Sequence, residues 1–150
     1  MQKLFETRRD PFLISTDPAR LDLDAIADML TRAYWASGRS RERTERALQN
    51  SLVFGVYDGE KQIGLARIVT DYAIFAYLCD VFILEDYRAN GLGKWLMETI
   101  FSHPDLQGLR RWTLATRDAH ELYRHYGFDA LTNPDGWMER FRPFPGEERD

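Results

Sequence analysis

The stretch that most restricts the fold is Phe75 to Leu84, where Asp80 is the one charge in an otherwise apolar run. Such a run reads as a central strand covered on both faces of a sheet. It leads through Tyr87-Arg88-Ala89-Asn90-Gly91-Leu92-Gly93-Lys94 into a helical pattern over Gly91 to Phe101. There Leu92, Trp95, Leu96 and Ile100 share one side, and Lys94 and Glu98 the other. Pro104 stops the helix, and Arg111 to Thr116 reads as the next strand. A strand, a crossover helix and a second strand make a parallel pair, so the sheet must lie between helices.

The rest of the chain fits around that unit. Phe12 to Thr16 reads as a first strand, broken by Asp17-Pro18. Leu23, Ile26, Met29, Leu30 and Tyr34 recur at helical spacing between Leu21 and Trp35, and Ser40 to Leu48 predicts a second, more exposed helix. Asp58-Gly59-Glu60-Lys61 separates two β-rich runs, Leu52 to Tyr57 and Gln62 to Val69, as a hairpin turn does. Asp118 to Tyr126 predicts a short helix, with Asp118 and Glu121 at capping-box spacing and Gly127 at its end. Phe128 to Leu131 and Trp137 to Phe141 read as final strands. The expected architecture is α/β: a mixed sheet of six or seven strands with helices on both faces, its core at residues 11–143. The start of the chain and Pro145 to Asp150 are expected to be disordered.

A length of 150 residues fits a single domain. The net charge of −4 does not favour a nucleic-acid partner and leans weakly towards a cationic acceptor. Cys79 is the sole cysteine, which excludes an internal disulfide and a multi-cysteine metal site. With no apolar leader and no membrane-length run, the expected compartment is the cytoplasm.

The chemistry-bearing segment is the loop at Arg88 to Lys94. Gly91 and Gly93 let backbone N–H groups approach a ligand, the helix N-terminus adds partial positive charge, and Arg88 and Lys94 add full charges. Together they suit phosphate oxygens. A P-loop needs glycine where Arg88 stands and Ser or Thr where Trp95 stands; a dinucleotide fingerprint needs glycine at Leu96. Neither pattern is met.

Arg88, Gly91 and Gly93 resemble the pyrophosphate-binding motif Arg/Gln-x-x-Gly-x-Gly/Ala of the GNAT superfamily of N-acetyltransferases. Ala119-His120-Glu121-Leu122-Tyr123-Arg124-His125-Tyr126-Gly127-Phe128 resembles that family's later Ala-x-x-x-Tyr-x-x-x-Gly-Phe segment. The chain departs from the family at Thr116, where many members carry Asn, and at Glu85, where Pro is frequent. The resemblance implies acetyl-CoA as cosubstrate, no metal, and a sheet splayed between its two central strands, Phe75 to Leu84 and Arg111 to Thr116.

It further implies that backbone groups at Phe82, Ile83 and Leu84 meet the pantetheine arm, that Arg88, Ala89, Asn90, Gly91, Leu92, Gly93 and Lys94 hold the pyrophosphate, and that Thr116 assists. Tyr123 matches the tyrosine that protonates the leaving thiolate. Asp80, an acid inside an apolar strand, is the candidate to deprotonate the acceptor; strand alternation groups it with Leu78 and Phe82, opposite Tyr77, Cys79 and Ile83. Tyr34 and Trp35 close the first helix and are candidates for the acceptor pocket, while His103, His120 and His125 read as surface. The expected activity is acetyl transfer to a primary amine on a small molecule or peptide, by direct attack in a ternary complex. The competing reading is a non-catalytic acyl-CoA sensor. No membrane partner is expected, and a homodimer stays open.

Overall fold

The computed structural model describes residues 3–147. Six strands form one sheet in chain order: β1 Glu6–Arg9, β2 Phe12–Ser15, β3 Leu52–Asp58, β4 Lys61–Thr70, β5 Phe75–Ile83 and β6 Arg111–Thr113. The first five are antiparallel to their neighbours; β6 lies parallel to β5. The helices are α1 Leu23–Thr31, α2 Arg41–Gln49, α3 Leu92–Ser102 and α4 His120–Arg124.

Local sequence explains most boundaries. Gly59 takes a positive φ in the hairpin, where Asp58 pairs with Lys61. The Asp22 side chain accepts the N–H of Ala25 and starts α1; Ser40 does the same for Arg43 in α2. One core layer packs Leu92, Leu96, Met97 and Ile100 of α3 against Phe54, Ile63, Ile68 and Leu78. The other packs Ile26, Met29 and Leu30 of α1 against Leu65 and Phe82. The sheet therefore sits between helices, as the apolar runs required.

Three expectations are corrected. The N-terminal segment is ordered from Glu6, because Glu6 to Arg9 pairs with Phe12 to Ser15 and the Glu6 carboxylate accepts the Ser15 hydroxyl and Arg20 Nε. Tyr34 and Trp35 do not close α1; the helix ends at Thr31, and they form a separate 3-10 turn, Tyr34–Ala36. The runs at 128–131 and 137–141 are not strands. From Asp129 to Pro143 every residue is exposed, Met138 at 95%, so a strand there has no core face to bury. Pro134–Gly136 is a 3-10 turn instead. Among the described residues β6 is consequently the sheet edge, where a central strand was expected.

Candidate active site

β5 and β6 pair only from Phe75 to Tyr77 and Arg111 to Thr113. Beyond that a cleft of about 1240 Å³ opens, with Ile83, the Ala89–Lys94 loop, Leu114 to Ala119 and Tyr123 among its walls. Tyr34, Trp35, Arg39, Arg67, Tyr77 and Asp80 line it as well. The parted strands thus bring together the residues at the ends of β5 and β6, the α3 N-terminus and α4.

At one end lies the start of α3. Gly91 is the N-cap at φ 74°, with no side-chain cap, and Ala89 shares the left-handed region at φ 70°. The first N–H groups of any α-helix lack an intrahelical acceptor. A Cβ added at Gly91 or Gly93 would meet no atom within 4 Å, so both face open space. Arg88 Nε donates to the Ile83 carbonyl at 2.9 Å, and its guanidinium lies 5.1 Å from the Phe82 ring centroid. Lys94 has no ion pair among the described residues. Asn90 is exposed, its side-chain amide donating to the Tyr87 carbonyl. Glu85, at the position where the family often has Pro, takes both oxygens to Arg32, whose hydrogen bonds pull its pKa down to about 2. That ion pair fastens the loop to the end of α1.

The β5 edge supplies less than expected. Leu84 N–H donates to the Ile63 carbonyl, and Phe82 is paired with Leu65. Alternation along the strand then turns the Ile83 backbone to the open side, as its bond from Arg88 shows. Of Phe82, Ile83 and Leu84, only Ile83 presents its backbone to the cleft; the N–H of Leu84 belongs to the sheet.

Asp80 departs from the alternation expected for it. The β4–β5 register shifts between Leu65 and Arg67, and Asp80 takes φ 51°. This bulge turns Asp80 onto the face of Trp35 and Arg67 and puts Phe82 on the α1 side, leaving Ile83 in the α3 layer with Leu78. Its carboxylate accepts a fork from Arg39 (2.9 and 3.1 Å), Arg67 Nε (2.8 Å) and Trp35 Nε1 (2.9 Å). Burial alone would raise its pKa, but the bonds and charges of Arg39 and Arg67 outweigh it, and the pKa is lowered. A carboxylate so engaged is a poor proton acceptor. The arrangement corrects the sequence assignment of Asp80 as a base: it anchors Arg39, Arg67 and Trp35.

Tyr123 is buried, and its hydroxyl has no protein hydrogen-bond partner among the described residues. Burial, with the nearby Tyr34 and Asp118, pushes its pKa up to about 12, so it keeps its proton at neutral pH. Thr116 Oγ1 accepts the N–H of Ala119, the residue before α4, whose N-terminus has no side-chain cap, so the capping box expected of Asp118 and Glu121 does not form; Gly127 takes φ 91° after the helix. The Tyr34 hydroxyl accepts the N–H of Arg117, and the Arg117 guanidinium lies 3.8 Å from its ring centroid. Cys79 is half-buried in the same cleft, and desolvation raises its thiol pKa to about 11.

Residues 49–130 match the model of the acetyltransferase (GNAT) domain. A Gibberella zeae protein assigned as an acetyltransferase is 33% identical over 138 residues, covering 77% of each chain. The chain belongs to the GNAT acetyltransferases. A GNAT-family crystal structure from Xanthomonas campestris pv. campestris is 44% identical with TM-score 0.85, covering 88% of this chain and 94% of that one. An Elizabethkingia anophelis GNAT acetyltransferase with acetyl-CoA bound shares the fold at TM-score 0.63 and 15% identity, covering 90% of each chain.

In this GNAT chain the sequence missed Arg39 and Arg67, which only the fold brings to Asp80. A usable signal was present: Arg67 is the one charge inside the apolar run Ile63 to Val69, as Asp80 is in its neighbour. His103, read as surface, is 2% exposed. Its Nδ1 accepts the N–H of Asp105, and its ring packs against Phe5 and Phe54, which suits a neutral imidazole. Burial accordingly lowers its pKa. His120 and His125 are exposed. Among the described residues no cluster could hold a metal ion, and no helix is long and apolar enough to cross a membrane.

Proposed function

We propose that this chain transfers the acetyl group of acetyl-CoA to an amine by direct attack within a ternary complex. The observation that carries the reading is the uncapped α3 N-terminus, with both glycines open to the cleft, in the same cavity as the Tyr123 hydroxyl. The backbone N–H groups of Gly91, Leu92, Gly93 and Lys94, with the Lys94 and Arg88 side chains, would hold the pyrophosphate. Ala89 supports their turn. Ile83 N–H would hold the pantetheine arm or polarise the acetyl carbonyl. When bound, acetyl-CoA supplies an activated thioester: its C–S bond breaks as the amine nitrogen forms the N–C bond.

Tyr123 holds a proton where the departing sulfur needs one, and the proton lost by the amine passes to water in the open cleft. Direct transfer is favoured over an acetylated enzyme because the chain's one thiol, Cys79, is kept protonated and therefore weakly nucleophilic. Tyr34 and Trp35 form the acceptor-side wall. The test incubates the protein with acetyl-CoA and an amine panel, following free thiol and the acetylated amine by mass. Amine-dependent release of both supports the enzyme; tight acetyl-CoA binding without release from any amine would favour the sensor reading.

A further inference from the structure

The acceptor side of the cleft is unusual in its charge. Arg39 and Arg67 both line it, with side chains only 15% and 14% exposed, and both face the single carboxylate of Asp80. Two guanidinium groups against one carboxylate leave this cluster with one net positive charge; the cleft's other carboxylates, Asp118, Glu139 and Glu147, form no ion pair with either arginine among the described residues. Ser51 Oγ accepts from Arg67 Nη1 but brings no charge. The Glu147 carboxylate, which also lines the cleft, is turned onto the N–H of Phe144. Arg67 engages Asp80 through Nε and Ser51 through Nη1, and its Nη2 has no hydrogen bond among the described residues. Arg39 has likewise no bond from Nε. Both side chains are only partly exposed, and an anionic ligand in the cleft would meet the excess charge and the unused donors together.

We infer that the acceptor is an amine that also carries a carboxylate, read by Arg39 and Arg67 as Asp80 holds them in place. The inference rests on the acetyltransferase reading above and names its substrate class. One excess charge matches a monoanion better than a phosphate dianion. Trp35 is held against the same carboxylate and gives the aliphatic part of the acceptor a flat wall. The chain's net charge of −4 points the other way, but the acceptor meets the cleft, where the arginines are gathered.

The test compares matched acceptors that differ only in carboxylate against carboxamide, for α-amino and ω-amino acids, by free-thiol release. The carboxylate member of at least one pair should show a KM lower by about 10- to 100-fold, the range of a charge-assisted hydrogen bond. Arg67→Gln should raise that KM by a similar factor and erase the preference over the amide, while the acetyl-CoA Kd by calorimetry stays within about twofold. If Arg67→Gln does not fold, the double variant Asp80→Asn/Arg67→Gln, which removes one charge of each sign, takes its place. Equal turnover of amides and acids, or a preference for cationic amines, would overturn the inference and leave acetyl transfer standing. No turnover of any amine, with or without acetyl-CoA binding, would overturn acetyl transfer itself and this inference with it.

Discussion

Asp80→Asn is the most informative single change to the architecture of the cleft. The Asp80 side chain is 2% exposed and engages two arginines that are about 15% exposed. Asparagine keeps the shape but removes the charge, leaving Arg39 and Arg67 facing each other without a counter-ion. Breaking a buried ion pair by removing one partner costs about 3–5 kcal/mol. For a domain of this length that lowers Tm by roughly 6–20 °C. The loss should also depend on pH. The folded pKa of Asp80 lies below its ordinary value, so its charge stabilises the fold above the ordinary carboxylate pKa. That contribution is lost as pH falls through the depressed folded value. Wild type and variant should therefore differ most at pH 6–8, the difference starting to shrink only as pH falls below the ordinary carboxylate value and vanishing below the depressed folded one. Urea denaturation across that range reads both effects. A difference under about 1 kcal/mol at pH 7, or one that persists at low pH, would refute the charged-network account.

Tyr123→Phe should lower kcat by roughly 10- to 1,000-fold with little change in acetyl-CoA affinity, checked by steady-state kinetics and calorimetry. Because Tyr123 titrates only near pH 12, no limb of the wild-type pH–rate profile below pH 9 should belong to it, and the Phe variant should keep the shape of that profile. Gly91→Glu should lose detectable acetyl-CoA binding by calorimetry, at a stability cost of about 1–2 kcal/mol for a side chain at φ 74°. Tyr57→Phe removes a buried hydroxyl that has no hydrogen-bond partner among the described residues, so urea denaturation should show stability unchanged or raised by about 1 kcal/mol.

The sequence carried the fold's centre well because that centre rests on local rules. The apolar run of β5, the glycine loop and the stripe of α3 each announce themselves within a dozen residues. The hairpin at Gly59 and the helix starts at Asp22 and Ser40 do the same. The N-terminal strand was missed because Glu6-Thr7-Arg8-Arg9 is mostly exposed and gains its place by pairing, which no hydrophobic pattern records. The C-terminal segment failed in the opposite sense: Leu131, Trp137 and Phe141 look like strand residues yet have no core to enter. At the site, the placing of Tyr123 and the Arg88–Lys94 loop beside one cleft was legible because both follow short motifs. The bulge at Asp80 was not, since one residue in the left-handed region reverses every facing after it. The partners of Asp80 lie 13, 41 and 45 residues away, beyond any local pattern.

Two-substrate initial rates, combined with the mass of the protein after exposure to acetyl-CoA alone, decide whether the acetyl group passes straight to the amine. Direct transfer gives intersecting double-reciprocal lines and an unmodified protein, with Cys79 unacetylated. Parallel lines together with an acetylated chain would contradict it.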